Sequence, residues 1–120
     1  MAASDLHIVR HHLDAPGPPV VLVHGAPDRA KNFAHVVHLL PDLAITVYDR
    51  RGYGRSIDAG RDASGQVPGG FEVHAADLID ILDGTPSVVV AQSAGGAIAM
   101  LAATLAPELF LALGVWEPPM

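Results

Sequence analysis

Short uninterrupted apolar runs alternate along this chain with segments whose apolar residues recur every three or four positions. Residues 19–23, Pro-Val-Val-Leu-Val, form the first convincing strand, and the unbroken run predicts burial on both faces, as a central parallel strand requires. Residues 32–40 read as a helix, with Phe33, Val36, Val37 and Leu40 at i, i+3, i+4 and i+7 and Pro41 as the stop. Residues 44–48, Ala-Ile-Thr-Val-Tyr, form the next strand. From 57 to 70 the chain is rich in Gly, Asp and Ser and reads as a surface loop. Residues 71–82 are helical, with Phe71, Ala75, Leu78, Ile79 and Leu82 on one face and Glu72, Asp80 and Asp83 towards water. After a turn at 84–86 come a second fully buried strand (87–91), a helix (94–105) and a last strand (109–115). Ahead of all these, residues 6–13 read as an edge strand.

Strands alternating with helices predict an α/β fold: a partial doubly wound, mostly parallel sheet within one domain. The chain has 120 residues, where such folds often take roughly 200–250. Half of its residues are hydrophobic, and the mean hydropathy is +0.33. Apolar faces that expect more protein against them account for that. The stretch 95–116 is nearly all apolar, but Pro107 and Glu108 interrupt it. A helix followed by a strand explains it better than a membrane span. A net charge of −6 leaves no basic stripe for nucleic acid, and the arginines at 50, 51, 55 and 61 read as loop residues. Without cysteine there is no disulfide, thiolate metal site or thiol nucleophile. Residues 1–10 lack the apolar core of a signal peptide, which gives a cytoplasmic expectation.

The chemistry concentrates at Ala91-Gln92-Ser93-Ala94-Gly95, where a buried strand must become a helix within two or three residues. A serine there is held in a strained, positive-φ turn that lifts its hydroxyl above the sheet edge. Such a turn needs small residues two before and two after the serine, and Ala91 and Gly95 comply. The plainer alternative makes Ser93 an ordinary helix N-cap. A Gly-x-Gly at Gly52 and Gly54 lacks the third glycine of a dinucleotide fingerprint, since position 57 is isoleucine.

Four pieces in order, Val-Leu-Val-His-Gly, Tyr-Asp-Arg-Arg-Gly-Tyr-Gly-Arg-Ser, Val-Ala-Gln-Ser-Ala-Gly-Gly and Val-Trp-Glu-Pro-Pro, resemble the α/β-hydrolase superfamily over roughly residues 18–120. The resemblance implies that the His24-Gly25 strand lies between the Tyr48 strand and the Ser93 strand. It also implies a nucleophile at Ser93 and an oxyanion hole made by the backbone N–H groups of Ala26 and Ala94. His24 has a structural role in the family.

A serine hydroxyl needs a base, and the base needs a third group to hold it. In this fold the triad runs Ser, acid, His along the chain. All seven histidines, at 7, 11, 12, 24, 35, 38 and 74, precede Ser93, and the carboxylates after it are Glu108 and Glu117. His74 falls in a covering helix, away from the elbow. Glu117 is a candidate acid, although its Glu-Pro-Pro context favours a structural or lid-entry role. His35 and His38, and the group His7, His11 and His12, lack matched carboxylates, so no metal and no cofactor are expected. The reading is the N-terminal portion of a serine hydrolase of ester-like or related acyl bonds, truncated before the lid and last strands, with an incomplete triad. The alternative is a pseudo-hydrolase that binds small molecules or partners without catalysis. A small-molecule substrate is expected, with no nucleic acid and no membrane. The strand at 109–115 should be an uncovered apolar edge prone to self-association.

Overall fold

The computed structural model describes residues 5–26, 28–59, 61 and 70–117. Five strands form one sheet in the order β1-β3-β2-β4-β5. They are β1 (Ile8–His11), β2 (Val20–Val23), β3 (Ile45–Tyr48), β4 (Ser87–Gln92) and β5 (Phe110–Trp116). β2, β3, β4 and β5 are parallel, and β1 runs antiparallel on β3. The chain winds from β2 to β3 on one side, then crosses back to β4 on the other. This is the doubly wound arrangement that the alternation of elements predicts, with β2 in the middle and its carboxyl end at the switch point.

Side-chain alternation along β2 splits the core into two layers. Val21 and Val23 join Val89 and Ala91 beneath α2 (Phe71–Leu82) and α3 (Ala94–Leu105). Val20 and Leu22 join Ile45 and Val47 beneath Ala30, Phe33 and Val37. The second layer is thinner than the pattern suggests. The predicted helix at 32–40 begins as a 3-10 turn, Ala30–Phe33, and its α-helical part, α1 (Ala34–Leu39), has only six residues. Its buried stripe is Ala30, Phe33 and Val37, while Val36 and Leu40 are each 39% exposed. So short a helix covers part of the sheet only. Val88 and Val90 are therefore half-buried, and β4 alternates rather than being fully buried.

The helices at 71–82 and 94–105 have their predicted bounds. Asp83, in the left-handed region at φ 48°, ends α2. The inward face of α2 is rotated from the apolar one: His74 and Asp77 are buried with Ala75, Leu78, Ile81 and Leu82, whereas Phe71 is 49% exposed. α3 buries Gly95, Gly96, Ile98, Ala99 and Ala102 and presents Met100 and Leu105 to solvent. Among the described residues no helix is long and apolar enough to cross a membrane. The predicted edge strand shortens to β1 because His12, at φ 56°, turns the chain away from it. β5 occupies the opposite edge with Leu111 and Trp116 half-exposed. Most of the loop at 57–70 lies outside the described residues.

Candidate active site

Ser93 alone separates the last residue of β4 from the first of α3. Its backbone sits at φ 52°, ψ −122°, a region that side chains strongly disfavour. The surroundings hold it there. The Ser93 N–H donates to the Trp116 carbonyl at 2.9 Å, continuing the β4–β5 ladder, while the Gly96 N–H donates to the Ser93 carbonyl at 2.8 Å and starts the helix. The hydroxyl makes no capping bond to the helix. An N-cap serine has extended backbone and caps with its oxygen; Ser93 does neither, so the N-cap alternative is excluded.

Shape confines this turn. A Cβ on Gly95 would lie 2.7 Å from the His24 carbonyl oxygen and 2.8 Å from that of Val23. A Cβ on Gly25 would lie 3.0 Å from the Ser93 Cβ and 3.1 Å from the Gln92 carbonyl oxygen. Two glycines thus let the strand ends of β2 and β4 approach until Gly25 touches the serine. The next residues along each strand end are Ala26 and Ala94, the two predicted backbone donors.

Behind this junction lies a polar cluster. His24 is fully buried. Its Nδ1 bonds the Gly25 carbonyl at 2.7 Å, and its Nε2 accepts the Arg50 backbone N–H at 2.9 Å. Because Nε2 accepts, the proton resides on Nδ1, and neither nitrogen is free. Burial first, and the nearby Arg50 charge, hold its pKa below the ordinary value. His24 is a neutral strut rather than a base. Arg50 Nε also donates to the His24 carbonyl at 2.9 Å, and its guanidinium lies 4.5 Å over the Tyr53 ring. Asp49 accepts the Ala30 N–H at 2.7 Å and the Arg55 N–H at 2.9 Å, tying the loop after β2 to the turn after β3.

Arg50 and Arg51 read as loop arginines in the sequence, but they are 3% and 1% exposed. Arg51 forms a two-pronged pair with Asp77 of α2, Nε to Oδ2 at 2.9 Å and Nη2 to Oδ1 at 2.8 Å. Asp77 escapes an apolar-only reading of α2. The signal that reveals it is positional: His74 and Asp77 are in phase with Leu78 and Ile81 at i, i+3, i+4 and i+7.

The other histidines lie on other elements. His74 is buried in α2 beside the Tyr53 ring, at 6.5 Å between centroids. Burial, then the charge of Arg50, push its pKa down to about 4, too low for efficient general-base work near neutrality. His7 and His11 belong to the β1 edge, roughly 14 Å from β4 across three interstrand spacings. His12 bonds the Leu43 carbonyl at 3.1 Å, and His35 and His38 are exposed on α1. Glu117 follows Trp116, the strand partner of Gln92, so its backbone adjoins the elbow. It is exposed and holds a positive φ of 51°.

A parallel sheet wound both ways from β2, with a positive-φ serine between a strand and a helix, defines a recognised class. Residues 18–115 match the family model for the alpha/beta hydrolase fold, and the chain belongs to that family. It is 32% identical over 117 residues to Lipase LipV of Mycobacterium tuberculosis, a match that covers 95% of this chain and 42% of that protein. The Uncharacterized hydrolase YraK of Bacillus subtilis is 31% identical over 97 residues, 77% of this chain and 34% of that one. An alpha/beta hydrolase from Sphaerobacter thermophilus superimposes with a TM-score of 0.76 at 31% identity, over 99% of this chain and 44% of its own. The chain therefore spans well under half the length of these relatives.

Proposed function

We propose that residues 1–120 are the N-terminal portion of a single α/β-hydrolase domain, carrying the nucleophile and oxyanion hole of a serine hydrolase for ester-like or related acyl bonds. The observation that carries this reading is Ser93 itself. Its backbone is held in a strained turn by neighbours, and its hydroxyl is not used in capping. Strain of this kind persists where the surrounding structure over-determines it, and it concentrates at functional positions. The name of the lipase relative points to acyl chemistry of the same kind.

In the proposed reaction the Ser93 oxygen attacks the acyl carbon while its proton passes to a histidine base outside this chain. The N–H groups of Ala26 and Ala94 donate to the oxyanion, and each such donor typically contributes ~10²–10³ in rate. The C–O bond to the leaving alcohol breaks and the alcohol takes the proton, leaving an acyl-Ser93 ester that water hydrolyses. Glu117 is the candidate acid to orient the base.

A fluorophosphonate probe tests the reading, because it labels an activated serine rather than any serine. The 120-residue chain should label slowly. Joined to or co-expressed with a family-type C-terminal half, it should label at Ser93 and turn over a small activated ester. Ser93→Ala should abolish both. A completed protein that binds ligands yet never labels would establish the pseudo-hydrolase alternative.

A further inference from the structure

A cavity lies away from the serine. It encloses about 660 Å3 between β1, the turn after β3 and the Ala30–Leu39 region, and neither Ser93, Ala94, Gly25 nor Ala26 lines it. Strand alternation builds its floor: Val9 and His11 share one face of β1, His7 just precedes the strand, and Val47 is paired with Val9. Val37 of α1 closes the far side. The cavity stays open because α1 is too short to cover β1.

Its rim contradicts the charge of the chain. The net charge is −6, with only seven lysines and arginines, yet Arg29, Lys31 and Arg55 all border this one cavity. None of the three side chains has an ion-pair partner among the described residues. The one carboxylate on the lining, Asp49, has both oxygens occupied by backbone N–H groups. On the lining, three cations against one carboxylate leave a local positive excess beside the apolar Val9, Val37 and Val47.

We propose that this cavity binds a small amphipathic anion: a carboxylate or phosphate headgroup on a short alkyl chain, with the head at the Arg29, Lys31 and Arg55 rim and the tail over Val9, Val37 and Val47. Size argues for the tail. A cavity of about 660 Å3 is in the usual range for small-molecule sites and far larger than an inorganic anion fills. This site is independent of Ser93 and of the hydrolase reading.

Equilibrium dialysis with radiolabelled probes tests it. Octanoate or octyl phosphate should bind saturably, and the tighter of the two identifies the headgroup. Octanol and inorganic phosphate should each bind at least ~10-fold more weakly, lacking head or tail. Arg29→Gln, Lys31→Gln and Arg55→Gln should each weaken binding ~3–5-fold, the scale of an exposed charge interaction, with circular dichroism unchanged because all three side chains are exposed. Octanol or inorganic phosphate binding as tightly as octanoate overturns the proposal. So does octanoate binding that the three substitutions leave unaltered, or no saturable binding of either amphiphile below roughly 10 mM.

Discussion

The two turns that meet at the carboxyl ends of β2, β3 and β4 are held by opposite means. The turn after β3 is held by charge. Asp49 grips two backbone N–H groups, Arg50 clamps the ring and carbonyl of His24, and Arg51 is locked to Asp77. The turn after β4 is held by missing side chains: Gly25 and Gly95 let the backbones close on Ser93, whose hydroxyl takes no part in capping. The difference suits the proposed chemistry. A nucleophile must keep its hydroxyl free for substrate, so its turn is fixed by shape. The loop carrying Ala26 has no such demand and can be braced by hydrogen bonds.

The charge-held turn should be the more fragile to a single substitution. Asp77→Ala leaves the Arg51 guanidinium buried without its carboxylate, and breaking a buried pair this way costs about 3–5 kcal/mol. Urea denaturation should show that loss. The double variant Arg51→Met, Asp77→Leu should recover most of it, because an apolar pair carries no desolvation penalty. Recovery absent from the double variant would mean that the turn needs the ion pair for geometry and not only for charge compensation.

The shape-held turn should respond to volume. Gly95→Ala places a methyl against two backbone carbonyls, which cannot swing aside. Overpacking of this kind costs about 1–3 kcal/mol. Gly84, at φ 72° and with no atom within 4 Å of where its Cβ would stand, separates strain from crowding. Gly84→Ala should cost only about 1 kcal/mol of backbone strain. Equal losses at the two glycines, measured by thermal melting, would remove crowding as the device that fixes the elbow.

Two smaller effects sharpen the contrast. Ser93→Gly should stabilise the chain by about 1 kcal/mol, because glycine occupies positive φ without penalty. A destabilised Ser93→Gly would mean that the hydroxyl contributes to folding after all. The polar cluster, by contrast, should carry a pH dependence. His74 titrates at about 4 in the folded chain against an ordinary 6.5. Between those values the unfolded state binds more protons, so stability present above pH 6.5 is lost as pH falls towards 4. Urea midpoints between pH 7 and 4.5 should drop, and His74→Gln should flatten part of the slope.

The elements and the elbow were legible in the sequence because their causes are local. Unbroken apolar runs at 20–23 and 88–90 mark central strands, and the bounds of α2 and α3 follow from periodicity and flanking turn residues. Small residues at 91 and 95 around Ser93 state a steric requirement that holds within five residues of chain. The tertiary structure alone decided the rest. Arg51 and Asp77 are 26 residues apart, and His24 and Arg50 are equally distant, so no local pattern announces either pair. Only the sheet order brings the ends of β2 and β3 together and turns the polar side of α2 onto them. The extent of the second layer was likewise undecided in sequence. Val36 and Leu40 carry the right period for a buried face, but burial depends on what lies opposite, and α1 ends before it covers Val88 and Val90.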